Sequence, residues 1–321
     1  GISKQTVNIN KLTLGDKVKN KIIKYIPHGL DKNVFFPIDE NNEEYTKFRS
    51  SVGLKDDDFI LFFNSRNIRR KQIPDTLLAW KYFLDQLTDS QKSKVKFVLH
   101  TEMVSEHGTD LKAVKNYLFG DEETSVLFTN KHFSRQELNY LYNIADAQIQ
   151  LTSNEGWGLS LTEAILAGTP IIGNVTGGMQ DQMRFVDEEG NWFTPSSDVP
   201  SNHTGKYKTH GEWAFPVFPA SRSIQGSPVT PYIWDDRCKP EDAVEQIMKL
   251  YNMTRKERKS LGLKGRNWAI SDEAGFTAQH MGVKVIEGVD ELFSTWHPRE
   301  YFEFINTNEV NTPTVPHKLL Y

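Results

Sequence analysis

From Phe59 to Asn174 the chain alternates short apolar runs with longer stretches of helical spacing. The runs FILFFNS (59–65), VKFVLHT (95–101), SVLFT (125–129), AQIQLT (147–152) and PIIGN (170–174) predict strands covered on both faces. Between them, residues 75–86, 110–118, 134–145 and 159–167 repeat apolar positions at helical spacing. Ser134 followed by Glu137 marks one helix start as a capping box. Strands alternating with crossover helices specify an α/β fold, a Rossmann-like parallel sheet with helices on both faces.

Residues 191–234 break this pattern into Pro, Gly, Ser and aromatic residues and read as an irregular insertion, a lid or a binding loop. Its Trp192, Trp213, Phe215, Phe218 and Trp234 are expected mainly to pack a small core of their own, with stacking on sugar rings as the alternative. Helical spacing returns at 240–252, 255–270 and 274–293, and a tail follows at 294–321.

Composition narrows the class. With 38% hydrophobic and 25% charged residues over 321 positions, the chain has material for a large core and is not predominantly disordered. The net charge of -4 arises from interspersed acids and bases, which gives no footprint for nucleic acid. A single cysteine, Cys238, rules out an internal disulfide framework, and no apolar run reaches membrane-spanning length; both point to a cytoplasmic protein. The histidines show no metal-ligand spacing.

Ligands of open α/β sheets bind beyond the carboxyl ends of the strands, so the loops there carry the candidate chemistry. After the fourth strand, SNEGWGLSLTEA (153–164) sets Glu155 and Glu163 around a glycine-rich turn that enters a helix. Free N–H groups at such a turn suit phosphate, and carboxylates accept paired hydrogen bonds from vicinal hydroxyls. After the first strand, FNSRNIRRK (63–71) brings Arg66, Arg69, Arg70 and Lys71 together, which suits two adjacent phosphates. A dipole-favoured helix acid for Glu163, an exposed loop charge for Glu155 and a solvated basic loop are the simpler readings of each piece.

In order, IPHGLDKNVFFP (26–37), NSRNIRRK (64–71), FSRQELNYLYNIADAQIQLTSNEGWGLSLTEAILAGTPIIGNVTGGMQD (133–181) and EDAVEQIMKLY (241–251) resemble the donor-binding half of retaining GT-B glycosyltransferases, the glycosyltransferase family 4 or glycosyl transferases group 1. The resemblance implies a UDP- or GDP-sugar donor, a glycan or lipid-linked acceptor, and no metal or other cofactor. It implies that Arg66 and Lys71 grip the diphosphate and that Glu155 meets the transferred sugar, the three forming the catalytic set. Glu163 would bind ribose, the backbone of Gly156, Trp157, Gly158 and Leu159 would meet sugar and phosphate, and the Asn130–Phe133 loop, with His132 and Phe133, would lie by the base.

It further implies an N-terminal acceptor domain for which the chain has no room, through which any peripheral membrane contact would run. Residues 1–26 then read as that domain's remnant and linker, with GISKQTV as its last strand and turn, and 27–293 as the nucleotide-sugar-binding domain. Asp181 stands where the family often has glutamate. Two rivals are weaker. A metal-dependent transferase needs Asp-x-Asp after a strand, whereas KDDDF (55–59) and WDDR (234–237) read as turn or helix-start acids. A glycosidase leaves the cations unexplained. The alternative for the chain is a non-catalytic nucleotide-sugar-binding module, inactive without its N-terminal half.

Overall fold

Six strands lie side by side, all parallel, in the order β3-β2-β1-β4-β5-β6: β1 (Phe59–Asn64), β2 (Val95–His100), β3 (Val126–Thr129), β4 (Ala147–Gln150), β5 (Ile171–Asn174) and β6 (Ala214–Val217). The computed structural model describes residues 1–120, 124–129, 131–196, 201–226, 228–229 and 232–298. Its helices are α1 (Lys4–Leu14), α2 (Glu43–Ser51), α3 (Ile73–Asp85), α4 (Asp89–Lys92), α5 (Leu111–Phe119), α6 (Arg135–Ile144), α7 (Leu159–Leu166), α8 (Met179–Gln182), α9 (Pro240–Tyr251), α10 (Arg255–Ala269) and α11 (Ala278–Thr295). Each of the five expected strands is present to within two residues at either end. The Ser134–Glu137 capping box forms in both directions at the start of α6.

Successive strand residues point to opposite faces, and both faces are dry. Ile60, Phe62 and Val98 join residues of α2, α6, α7 and α10 in one core. Phe59, Leu61, Phe63, Phe97 and Leu99 join α3 and α9 in the other. This explains why the strands read as unbroken apolar runs rather than as alternating ones.

Two expectations fail. The segment 191–234 is not an irregular appendage, because it contains β6, which pairs with β5 and completes the sheet. Four residues with Pro216 in the middle give almost no strand signal, yet proline is tolerated because this strand is the sheet's edge. Trp213 stacks on Trp268 of α10 at 4.9 Å between centroids, and Trp213 and Phe215 belong to the domain core. Trp192 likewise packs edge-on against Trp268. Downstream, β7 (Ser221–Gln225) and β8 (Ile233–Arg237) form a separate antiparallel hairpin, with Arg222 over the Trp234 ring at 4.7 Å.

The chain start also differs: GISKQTV holds no strand. Ser3 caps α1 by accepting from the Thr6 N–H, so the helix begins at Lys4. Residues 299–321, most of the expected tail, lie outside the described residues.

Trp213→Ala is expected to cost about 3–5 kcal/mol of stability in urea denaturation, the usual loss for emptying a buried tryptophan site. A cost near that of a surface substitution, within about 0.5 kcal/mol, would mean that the β6 segment is peripheral to the core.

Candidate functional site

The strand order reverses between β1 and β4, and a crevice of about 720 Å³ opens beyond their carboxyl ends. One wall follows β1: Asn64, Ser65 and Arg66, then a tight turn that puts Lys71 against the crevice. The other wall follows β4 and carries Glu155, Gly156, Trp157 and Gly158 into α7. Lys71 and Arg70 both donate to Glu155 Oε2, Arg70 at 2.8 Å, and Arg70 also donates to the Asn154 carbonyl at 2.9 Å. Burial pushes the Glu155 carboxyl up, but the charges and hydrogen bonds of Lys71 and then Arg70 outweigh it and leave it below the ordinary carboxylate value. Burial pulls the Lys71 ammonium down, against the attraction of Glu155.

Glycines shape the second wall. Gly158 sits in the left-handed region at φ 92° and caps α7, so the helix starts at Leu159 with its N-terminus on the crevice. Gly177, at φ 48°, passes so close behind the turn that a Cβ would lie 2.1 Å from the Glu155 carbonyl oxygen. Its neighbour Gly178 donates its N–H to that same oxygen at 3.0 Å. Gln182 of α8 donates to the carbonyls of Trp157 and Gly158 at 2.6 and 3.2 Å, and pins the turn from below.

Glu163 lies in the second turn of α7 rather than the first, where its carboxylate gains little from the helix dipole. It accepts from the Tyr142 hydroxyl at 2.5 Å, with Asn64 Nδ2 at 3.5 Å; Asn64 also donates to the Tyr142 oxygen at 2.8 Å. Burial raises its pKa to about 7, and the Tyr142 hydrogen bond only partly offsets this.

Of the residues expected from sequence, Glu155, Glu163, Lys71, Arg66, Gly156, Trp157, Gly158, Leu159 and His132 all line the crevice. Arg66 is exposed in it. Phe133 does not line it; its ring packs behind His100 at 5.2 Å and against Phe48 at 5.9 Å. Asn130 lies outside the described residues. The Trp157 indole turns into the core and donates to Thr162 Oγ1 at 2.8 Å, so only its neighbourhood of backbone faces the crevice. His28 and Ile2 also line it, with His28 edge-on to Trp157 at 6.3 Å.

Asp181 is fully buried behind the site, where it accepts the Lys4 N–H at 2.8 Å, and burial raises its pKa to about 7. Asn64 and Arg70 lie inside the basic motif FNSRNIRRK without a role of their own there, and Tyr142 and Gln182 carry no local signal. The aspartates of WDDR, read as turn acids, lie in strand β8. Among the described residues no group of three or more His, Cys, Asp or Glu side chains is placed to hold a metal ion, and no helix is long and apolar enough to cross a membrane.

Residues 44–199 match the family of glycosyl transferases group 1. Alpha-monoglucosyldiacylglycerol synthase of Acholeplasma laidlawii is 22% identical over 147 residues, covering 46% of this chain and 34% of that protein. The chain thus spans about a third of that relative's length. Among solved structures, sucrose-phosphate synthase from Thermosynechococcus elongatus superposes with a TM-score of 0.61 at 17% identity, over 92% of this chain and 58% of that one. HepE from Anabaena, in complex with UDP and glucose, gives a TM-score of 0.58 at 15% identity, over 84% of this chain and 57% of that one. At these identities the two structures share the fold of this chain.

The Glu163 environment has a pH consequence. A carboxyl raised from 4.5 to about 7 binds its proton more tightly when folded, so its contribution to stability is full below pH 4.5 and is lost as pH rises through 7. Glu163→Gln keeps an acceptor for Tyr142 without the charge. The variant is expected to gain on the wild type by up to about 3 kcal/mol between pH 4.5 and pH 8 in urea denaturation. A difference that stays constant with pH would contradict this environment.

Proposed function

We propose, from the match of residues 44–199 to the glycosyl transferases group 1 family, that the chain supplies the donor site of a retaining glycosyltransferase. The donor is a UDP- or GDP-sugar and the acceptor a glycan or a lipid-linked sugar. One observation carries the reading: Glu155 and Glu163 reach a single crevice from either side of the Gly158 turn, with Arg66 and Lys71 on the facing wall.

The division of labour follows from the environments. The N–H groups at the start of α7 and the Arg66 and Lys71 cations meet the diphosphate, and their charge stabilises the nucleoside diphosphate as it departs. Glu163, in the second turn and little solvated, accepts from the ribose diol. Glu155, held ionised by Lys71 and Arg70, offers its oxygens to hydroxyls of the transferred sugar and is not the nucleophile. The walls at His100, Thr129, Lys131 and His132 leave room for the base. The UDP bound by HepE supports a diphosphate in this fold.

Calorimetric titration with UDP, GDP and their sugars is expected to show saturable binding to one base, and binding to none of them would overturn the reading. Arg66→Ala is expected to weaken the nucleoside diphosphate about tenfold at low salt, one charge-assisted contact to phosphate. That loss should shrink at high ionic strength, as screening requires for an exposed cation. Hydroxyl donors favour the ionised form of Glu163, so binding near pH 7 should release protons, read from the dependence of the heat on buffer ionisation. Glu163→Gln should abolish that release.

A further inference from the structure

Three consecutive residues of β8 bond to segments that adjoin the donor crevice, although β8 lies beyond residues 44–199 that match the family. Asp235 Oδ1 accepts from Ser153 Oγ at 3.0 Å and from Asn154 Nδ2 at 2.9 Å, the two residues immediately before Glu155. The Asp236 N–H donates to the Ser153 carbonyl at 2.8 Å, and its buried carboxylate accepts from Thr176, Ser201 and Asn202. Arg237 donates to Gln72 Oε1 at 2.7 Å and pairs with Asp75 at 2.9 Å, just after Lys71. Ser153 and Asn154 are themselves tied to the basic motif, since the Ser153 N–H donates to the Arg70 carbonyl at 2.8 Å and the Asn154 carbonyl accepts from Arg70.

We infer that Asp235 is a positioning residue of the donor site: through Ser153 and Asn154 it sets the height and direction of Glu155 between Arg70 and Lys71, and so selects for the sugar rather than the nucleotide. The inference rests on the reading that Glu155 meets the transferred sugar. Asp236 and Arg237 brace the neighbouring loops, and both would be needed whatever the ligand. Asp235 is different because, among the described residues, its carboxylate bonds only to the turn that carries Glu155. Glu163 and the α7 N-terminus are held separately, by Tyr142 and by Gln182. Loss of Asp235 therefore displaces one end of the ligand site and leaves the other in place.

The test compares a nucleoside diphosphate with its sugar conjugate, UDP with UDP-glucose or GDP with GDP-mannose, whichever pair the wild type binds. Asp235→Ala is expected to weaken the sugar nucleotide about tenfold, as a small displacement of an oriented group does, while the free diphosphate changes less than about twofold. Asp235→Asn keeps an oxygen acceptor for Ser153 and Asn154 and should restore wild-type selectivity. Equal weakening of both ligands, or of neither, overturns the inference. Should Asp235→Ala not fold, Asn154→Ala removes one of the two bonds with β8 intact and must show the same selective loss, and its absence overturns the inference as well. Failure of the wild type to bind either member of either pair instead overturns the reading of the crevice on which the inference rests.

Discussion

The Glu155 carboxylate, caught between Lys71 and Arg70, is the contact on which the site depends. The Glu155 and Lys71 side chains are only 11% and 9% exposed, and each such ion loses several kcal/mol of hydration. Such a pair persists only when the charges meet in good geometry, which here requires the loop after β1 and the loop after β4 to stand at a fixed separation. The sheet supplies that separation, because β1 and β4 are neighbours at the point where the strand order turns back. Two cations against one carboxylate also leave the cluster with surplus positive charge on the wall of a crevice, where Arg66 adds more. An anionic ligand suits that imbalance, and a structural salt bridge by itself would not create it.

Holding one carboxylate in place takes support from far along the chain. The 177–178 glycine pair lets the loop after β5 press against the Glu155 carbonyl, Gln182 grips the Trp157–Gly158 backbone, and Asp235 ties the preceding turn. All are second contacts: none touches the Glu155 carboxylate, and together they fix the backbone that presents it. The precision of the site thus comes from polar contacts beneath it as well as from the apolar core under the sheet.

What the sequence disclosed follows from the range of each signal. Strands covered on both faces write themselves as unbroken apolar runs, so β1 through β5 were legible, as was the capping box at Ser134 and Glu137, whose partners sit three residues apart. Glu155, Glu163 and the basic run were legible because each lies in a strand-end loop with unusual chemistry for its place. β6 was not, since a four-residue edge strand with a central proline looks like loop, and its tryptophan at 213 finds its partner Trp268 only in three dimensions. The Asp235 contacts lie 82 and 81 residues from their partners, and Tyr142 reads locally as an ordinary apolar position of α6. The position of its loop puts Phe133 by the crevice, but an aromatic ring with His100 and Phe48 available packs rather than projects.

The two glutamates, eight positions apart, end in opposite electrostatic states. Glu155 is partly buried and balanced by two cations, so it stays ionised and directional; Glu163 is partly buried beside the neutral donors Tyr142 and Asn64, and its pKa rises to about 7. Identical side chains acquire different roles from their surroundings alone. An ionised, cross-linked carboxylate keeps one orientation, which suits the contact with sugar hydroxyls proposed for it. A carboxylate near its pKa, held by Tyr142 and Asn64, gains most from a ligand that brings new donors to it, as a diol does. The glycine turn between them keeps the two environments apart, because it lets Glu155 face the cations while the helix carries Glu163 back beneath the crevice.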